Sequence, residues 1–165
     1  MQRDAMANFY GLYPRSVDSK GRVILPSRVR EQLALTEGTS VYLSLGNNNC
    51  IAVYAERDWE EKSARLKRNQ TANTRAYIRL LFAHTVRVTP DKQGRVPIPP
   101  SLMQYAGIDV ETARDLVFAG ALTHFEVWEQ GRWGQFNAEN EASATLDEHG
   151  DIEFGRDPQD TVPPG

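Results

Sequence analysis

The stretch Asp18-Ser19-Lys20-Gly21-Arg22-Val23-Ile24-Leu25-Pro26 returns 73 residues later as Asp91-Lys92-Gln93-Gly94-Arg95-Val96-Pro97-Ile98-Pro99, with Asp, Gly, Arg, Val and Pro identical at five positions. An internal repeat constrains a fold more than any local pattern does, because each copy must be a supersecondary unit of the same kind. The correspondence runs on behind the motif with a shift of 74, pairing Gly46 with Gly120, Val53 with Val127, Tyr54 with Trp128 and Trp59 with Trp133. Chance can supply one pentapeptide, but not easily the ordered series that follows it. The chain reads as two units of one design.

Both units carry the same local signals. Residues 13–17 and 85–89 are β-prone, and each run is followed by a polar turn with glycine (19–21, 92–94) and a second β run (23–25, 96–98). That succession predicts a hairpin in each unit. Pro26-Ser27 and Pro100-Ser101 signal helix starts with serine as N-cap, and Ser101 with Gln104 has capping-box spacing. Val29 with Leu33, and Leu102 with Ala106, give the two short helices an apolar face, and the helices are expected to stop near Gly38 and Gly107. Two more strands per unit follow (40–45 with 50–54, 116–119 with 124–128), and each unit closes on a helix led by Trp59 or Trp133.

The helix of Trp59, Lys62, Ser63 and Leu66 opens with Asp58 and Glu61 at capping-box spacing. Residues 69–73 break it, and 75–83 resume with Ala76, Tyr77, Leu80 and Leu81 as the apolar side. Arg65, Lys67, Arg68, Arg75 and Arg79 lie on the outward side, which reads foremost as a solvated face. The predicted fold class is α+β: a first repeat over 8–68, a linker helix over 69–83, a second repeat over 84–137 and an acidic tail over 138–165 expected to lack structure.

Composition narrows the function classes. With 165 residues, 40% hydrophobic and 25% charged, the chain can bury a core. It has no apolar run near the roughly 20 residues of a membrane-spanning helix, and the N-terminus lacks the pattern of a signal peptide, so a cytoplasmic protein without a membrane partner is expected. Cys50 is the only cysteine, which excludes an intrachain disulfide and a cysteine-based zinc cluster. The net charge of -3 is unevenly spread: residues 8–82 hold 12 basic and 7 acidic side chains, 83–136 hold 5 and 6, and 137–165 hold Arg156 alone against eight acids. The first repeat is the basic part, and the tail sets the overall sign.

Catalytic readings find no support. His84, His124 and His149 stand apart, with no metal-ligand spacing. Gly21 and Gly94 lie between strands, not between a strand and a helix, so neither is a phosphate-cradling loop. Cys50 sits in an apolar β-prone stretch and reads as a small buried hydrophobe. No catalytic residue, metal or cofactor is expected. The Asp-x-x-Gly-Arg turn differs, because an arginine just past a turn glycine projects a planar donor fork toward a guanine edge or a phosphate, and a two-stranded ribbon fits the DNA major groove. Asp18 and Asp91 can fasten the turn, aim the arginine, or do both.

This Asp-x-x-Gly-Arg-Val-x-Ile/Leu-Pro pattern resembles the SpoVT/AbrB-type DNA-binding motif. Two copies in one chain, Ala106-Gly107-Ile108 after the second helix, and Phe125-Glu126-Val127-Trp128 leading to Trp133 are similar to the MraZ family of bacterial transcriptional regulators, over residues 8–137. The resemblance implies two SpoVT/AbrB-like half-motifs forming a double-ψ or swapped-hairpin barrel with an internal pseudo-two-fold. It also implies a ring of eight or more subunits that binds G-rich direct repeats in double-stranded DNA, at the nucleoid, and represses a division and cell-wall gene cluster. Carried over by position, the DNA-binding residues are Lys20 and Arg22 foremost, with Ser19, Ile24 and Arg15, and with Lys92 and Arg95 in the second unit; Asp18, Asp91, Gly21 and Gly94 shape the turns. Pro97 stands where the first copy has Ile24, and Pro100 where it has Ser27, so the second motif departs from the first. An AbrB-type antitoxin-like protein and an interaction scaffold with purely structural hairpins remain the alternatives.

Overall fold

The computed structural model describes residues 8–141, 144–146 and 152–154. Strands β1 (Leu12–Ser16), β2 (Arg22–Ile24), β3 (Val41–Leu45) and β4 (Ile51–Ala55), with helix α1 (Ser27–Gln32), make up the first repeat. Helices α2 (Glu56–Arg68) and α3 (Ala72–Ala83) follow. The second repeat supplies β5 (Val86–Val88), β6 (Arg95–Pro97), α4 (Pro100–Ala106), β7 (Asp115–Gly120), β8 (Phe125–Glu129) and α5 (Gln130–Glu141). Within the stretch read as an unstructured tail, β9 (Ala144–Leu146) and β10 (Ile152–Phe154) pair antiparallel; residues 142–143, 147–151 and 155–165 lie outside the described residues. Gly131–Gly165 form a compact unit separate from that ending at Gln130.

Pairing across the repeats departs from the local hairpin reading and agrees with the swapped-hairpin arrangement that the resemblance implies. The six-stranded sheet runs β1-β7-β8-β4-β3-β5, so the first strand of each repeat adds to the strand pair of the other. β2 and β6 likewise pair with each other. The predicted hairpins within each unit are therefore corrected: the turns form, with Asp18 N–H donating to Arg22 O (2.8 Å) and Gly21 N–H to Asp18 O (3.0 Å), but their arms diverge to partners in the other repeat. A pseudo-two-fold relates the halves, with Val23 opposite Val96 in one ladder and Ala52 opposite Glu126 in the β4–β8 seam. Each of these pairs joins positions that the sequence repeat makes equivalent. The swap buries Val23 and Val96 together, which a three-residue strand with one inward side chain could not do within its own unit.

One core serves both halves. Val17, Val23, Leu25, Val29, Val53, Val96, Leu102, Phe118, Phe125 and Val127 belong to a single buried cluster. β4 is buried at all five positions because both its faces are covered: Ile51, Val53 and Ala55 enter that cluster, while Ala52 and Tyr54 meet Trp59 of α2 and Leu81 of α3. Trp59 stacks on Tyr42 at 5.4 Å and touches the Tyr54 and Phe82 rings. Two buried hydroxyls tie β5 to the first repeat, Ser40 Oγ to Thr89 Oγ1 (2.7 Å) and Ser44 Oγ to Thr85 Oγ1 (2.9 Å). Cys50 is fully buried, as expected of a small hydrophobe, and burial raises its thiol pKa.

Several helix ends differ from the sequence reading. Pro26 and Pro99 are the N-cap residues of α1 and α4 and neither helix has a side-chain cap, so Ser27 and Ser101 lie inside the helices. Proline's fixed φ already presets this entry. α1 stops at Gln32, well before Gly38, whereas α4 does end at Gly107 in the left-handed conformation (φ 69°). α2 begins at Glu56, ahead of the Asp58–Glu61 pair, with Glu56 and Asp58 in its first turn and Arg65, Lys67 and Arg68 in its last. Both ends suit the helix dipole. The capping box belongs instead to Thr71 and Thr74 at the start of α3. On α3, Leu81 is buried while Tyr77 and Leu80 are half exposed, a narrower buried face than the pattern predicts. Among the described residues no helix is long and apolar enough to cross a membrane.

Candidate functional site

The β2–β6 ribbon is three residues long on each side. Alternation points Val23 and Val96 into the core and turns Arg22, Ile24, Arg95 and Pro97 outward. Register places Arg22 opposite Pro97 and Ile24 opposite Arg95, so both arginines occupy one face, related by the pseudo-two-fold. Leu25 N–H donates to Gly94 O and Ile98 N–H to Gly21 O, both at 2.9 Å, which ties each strand to the turn of the other repeat. Two turns distant in sequence thereby become one surface.

Each turn aspartate performs both tasks foreseen for it. Asp18 Oδ1 accepts the backbone N–H of Lys20 and of Arg22 at 2.9 Å, closing the turn, while Oδ2 accepts Arg22 Nε–H at 2.9 Å. Asp91 repeats this with the backbone N–H of Gln93 and Arg95 (2.9 Å each) and with Arg95 Nε (2.7 Å). Among the described residues each guanidinium is engaged at Nε alone, which leaves the Nη donors of Arg22 and Arg95 for another acceptor. Gly21 and Gly94 have φ of +76° and +78°, a conformation that side chains with a Cβ rarely adopt. Ser19, Lys20 and Lys92 are exposed on the turns, and Ile24 is exposed between the arginines. Arg15 lies outside the ribbon, on β1 at the edge of the six-stranded sheet, its Nη1 bonded to Pro14 O.

The lowered pKa values of Asp18 and Asp91 have a direct cause. The backbone N–H of Arg22 holds the Asp18 carboxyl below its ordinary range, and the backbone N–H of Arg95 does the same for Asp91, with the arginine side chains adding to both. A carboxylate depressed in the folded state contributes its stabilisation fully above the ordinary aspartate pKa and loses it as pH falls through the lowered value. The Nε–H signals of Arg22 and Arg95 in NMR spectra are expected to keep their bonded shifts at neutral and mildly acidic pH and to collapse only below the ordinary aspartate range. Loss near pH 5 would contradict this turn geometry.

Arg30 is a site residue that the sequence reading passed over. It sits on α1 against the second turn, where a side chain at Gly94 would come within 2.9 Å of its Nη1. Its counterpart by the 73-residue shift is Met103, whose Cε lies 3.2 Å from the corresponding position at Gly21. The repeat alignment could have flagged this cation-for-thioether exchange.

Comparison with known proteins bears on what this surface does. The family described as "MraZ protein, putative antitoxin-like" matches residues 9–79 and again 81–154. The "Transcriptional regulator MraZ" of Acetivibrio thermocellus is 38% identical over 138 residues, covering 82% of this chain and 91% of that protein. The protein of the same name from Micrococcus luteus is 38% identical over 137 residues (82% and 90%), and that from Salinispora tropica 37% over 149 residues (89% and 96%).

Proposed function

This chain belongs to the MraZ family, and on that premise we propose that it is a transcriptional regulator that binds double-stranded DNA through the outward face of the β2–β6 ribbon. It is a regulator and not an enzyme. The observation that carries the reading is the pair of arginines on one outward face, each held at Nε by its turn aspartate with no partner on the outer nitrogens among the described residues. Such forks match the O6 and N7 acceptors of guanine, and a two-stranded ribbon has the width to lie in the major groove. Lys20 and Lys92, on the turns at either end, are placed to meet phosphates, which position a protein without reading sequence.

The finer reading follows the family resemblance: a cytoplasmic, nucleoid-associated repressor of a division and cell-wall gene cluster, bound to short G-rich direct repeats as a ring of eight or more copies. One ribbon makes few base contacts, so repeated sites on a ring raise apparent affinity through effective concentration. Direct repeats suit head-to-tail cyclic symmetry. Tyr77 and Leu80, about half exposed on α3, support assembly with further copies of the chain.

The test is a mobility-shift titration against DNA from upstream of its own gene, over a series of salt concentrations and repeat numbers. Affinity is expected to fall linearly on logarithmic axes with salt as counterions return to the phosphates, and to rise steeply from one repeat to three. A flat salt response, or no binding, would sink the DNA reading in favour of an interaction scaffold.

A further inference from the structure

Behind the second turn lies a cleft of about 620 Å³ lined by residues that include Arg30, Leu35, Gly38, Pro90, Lys92 and Gly94. Arg30 Nε is shut off from solvent and has no hydrogen-bond partner, the sole buried side-chain nitrogen or oxygen so placed among the described residues. Nε itself is out of reach of a ligand in the cleft, so a ligand there meets the outer guanidinium nitrogens, of which Nη1 lies beside Gly94. Lys92 adds a second positive charge at the rim. Two carboxylates also line the cleft: Asp91 is engaged by Arg95, and Glu37 lies on the exposed loop after α1. Under the first turn the equivalent position is Met103, whose side chain lies against Gly21 in place of a cation.

We infer that this cleft binds a phosphate group, held by Arg30 and Lys92, and that the phosphate comes from the DNA backbone next to the base-reading ribbon. The inference rests on the DNA-binding reading above and assigns the second motif a part the first does not share. A guanidinium and an ammonium lining one cleft suit a phosphate, whose several oxygens accept from both. The position fits as well, because Lys92 and Gly94 of the cleft lining belong to the turn that ends in Arg95, which sets the cleft next to one of the two ribbon arginines. Such an anchor raises affinity for every sequence alike.

The informative variant is Arg30→Met, which installs the residue that the other repeat already uses in the equivalent place. With operator DNA and an unrelated duplex, both affinities are expected to fall by a similar factor, with their ratio unchanged and the salt slope shallower by about one per engaged subunit. Lys92→Met should act in the same direction. In a parallel NMR titration, inorganic phosphate should shift the Arg30 Nε–H signal of the wild type, and in the variant should leave the Gly94 amide unmoved. If phosphate shifts the wild-type signal but Arg30→Met binds DNA with an unaltered slope, the DNA source is overturned and the cleft serves a free phosphate compound. If neither readout depends on Arg30, the site itself is overturned. Should the wild type bind no DNA while phosphate still shifts Arg30, the functional reading fails and the cleft stands.

Discussion

Replacing Arg22 by alanine is expected to reduce binding to the upstream repeats by a hundredfold or more while leaving assembly and the unfolding midpoint close to those of the wild type. A bidentate arginine–guanine contact contributes about 1–3 kcal/mol, and roughly 1.4 kcal/mol is a factor of ten. In the proposed multi-subunit assembly the loss recurs in every subunit that engages a repeat, so it compounds on multivalent DNA. The side chain is partly exposed and outside the core, which is why the fold should tolerate its removal. Arg95→Ala, on the same face, is expected to weaken binding in the same direction. Arg22→Lys separates charge from geometry: it keeps the cation but loses the planar fork and the Nε bond to Asp18, so non-specific binding should persist while preference for the repeats is lost. Mobility shifts measure the affinities and light scattering the assembly. Unchanged operator binding by Arg22→Ala would remove the ribbon as the DNA site.

Phe125→Ala is expected to have the largest effect on stability, a loss of about 3–5 kcal/mol. Phe125 is fully buried, lies 5.4 Å from the Phe9 ring and 6.5 Å from that of Tyr13, and pairs with Val53 across the seam where the repeats meet. Truncation there removes apolar contacts from both halves at once and leaves a cavity that a close-packed interior only partly fills. Because β1 and β5 are exchanged between the repeats, denaturant should unfold residues 8–130 in a single transition shifted to lower concentration. Two separate transitions, or a loss below about 1 kcal/mol, would contradict a core shared across the seam.

The turn chemistry of the site was legible because it is local. Asp18, Gly21 and Arg22 lie within five residues, and the carboxylate that closes the turn reaches only the amides and the guanidinium beside it. The helices were legible too, from apolar spacing, although their starts were not: Ser27 and Ser101 have the right chemistry for caps, but the fixed φ of Pro26 and Pro99 begins each helix one or two residues earlier. Arg30 escaped notice because its meaning depends on Gly94, 64 residues away in sequence.

By itself the sequence determined that there are two copies of one unit, that each has an aspartate-braced arginine turn, and that positive charge gathers in the first copy while the acids gather at the end. Only the tertiary structure decided which strand pairs with which. Two nearly identical β runs have the same propensity and the same inward valine, so intra-repeat and inter-repeat pairing look alike to any local rule. Burial breaks that tie: joining Val23 to Val96 and Val53 to Phe125 closes one core from two halves. The same choice brings Arg22 and Arg95, 73 residues apart, onto a single face.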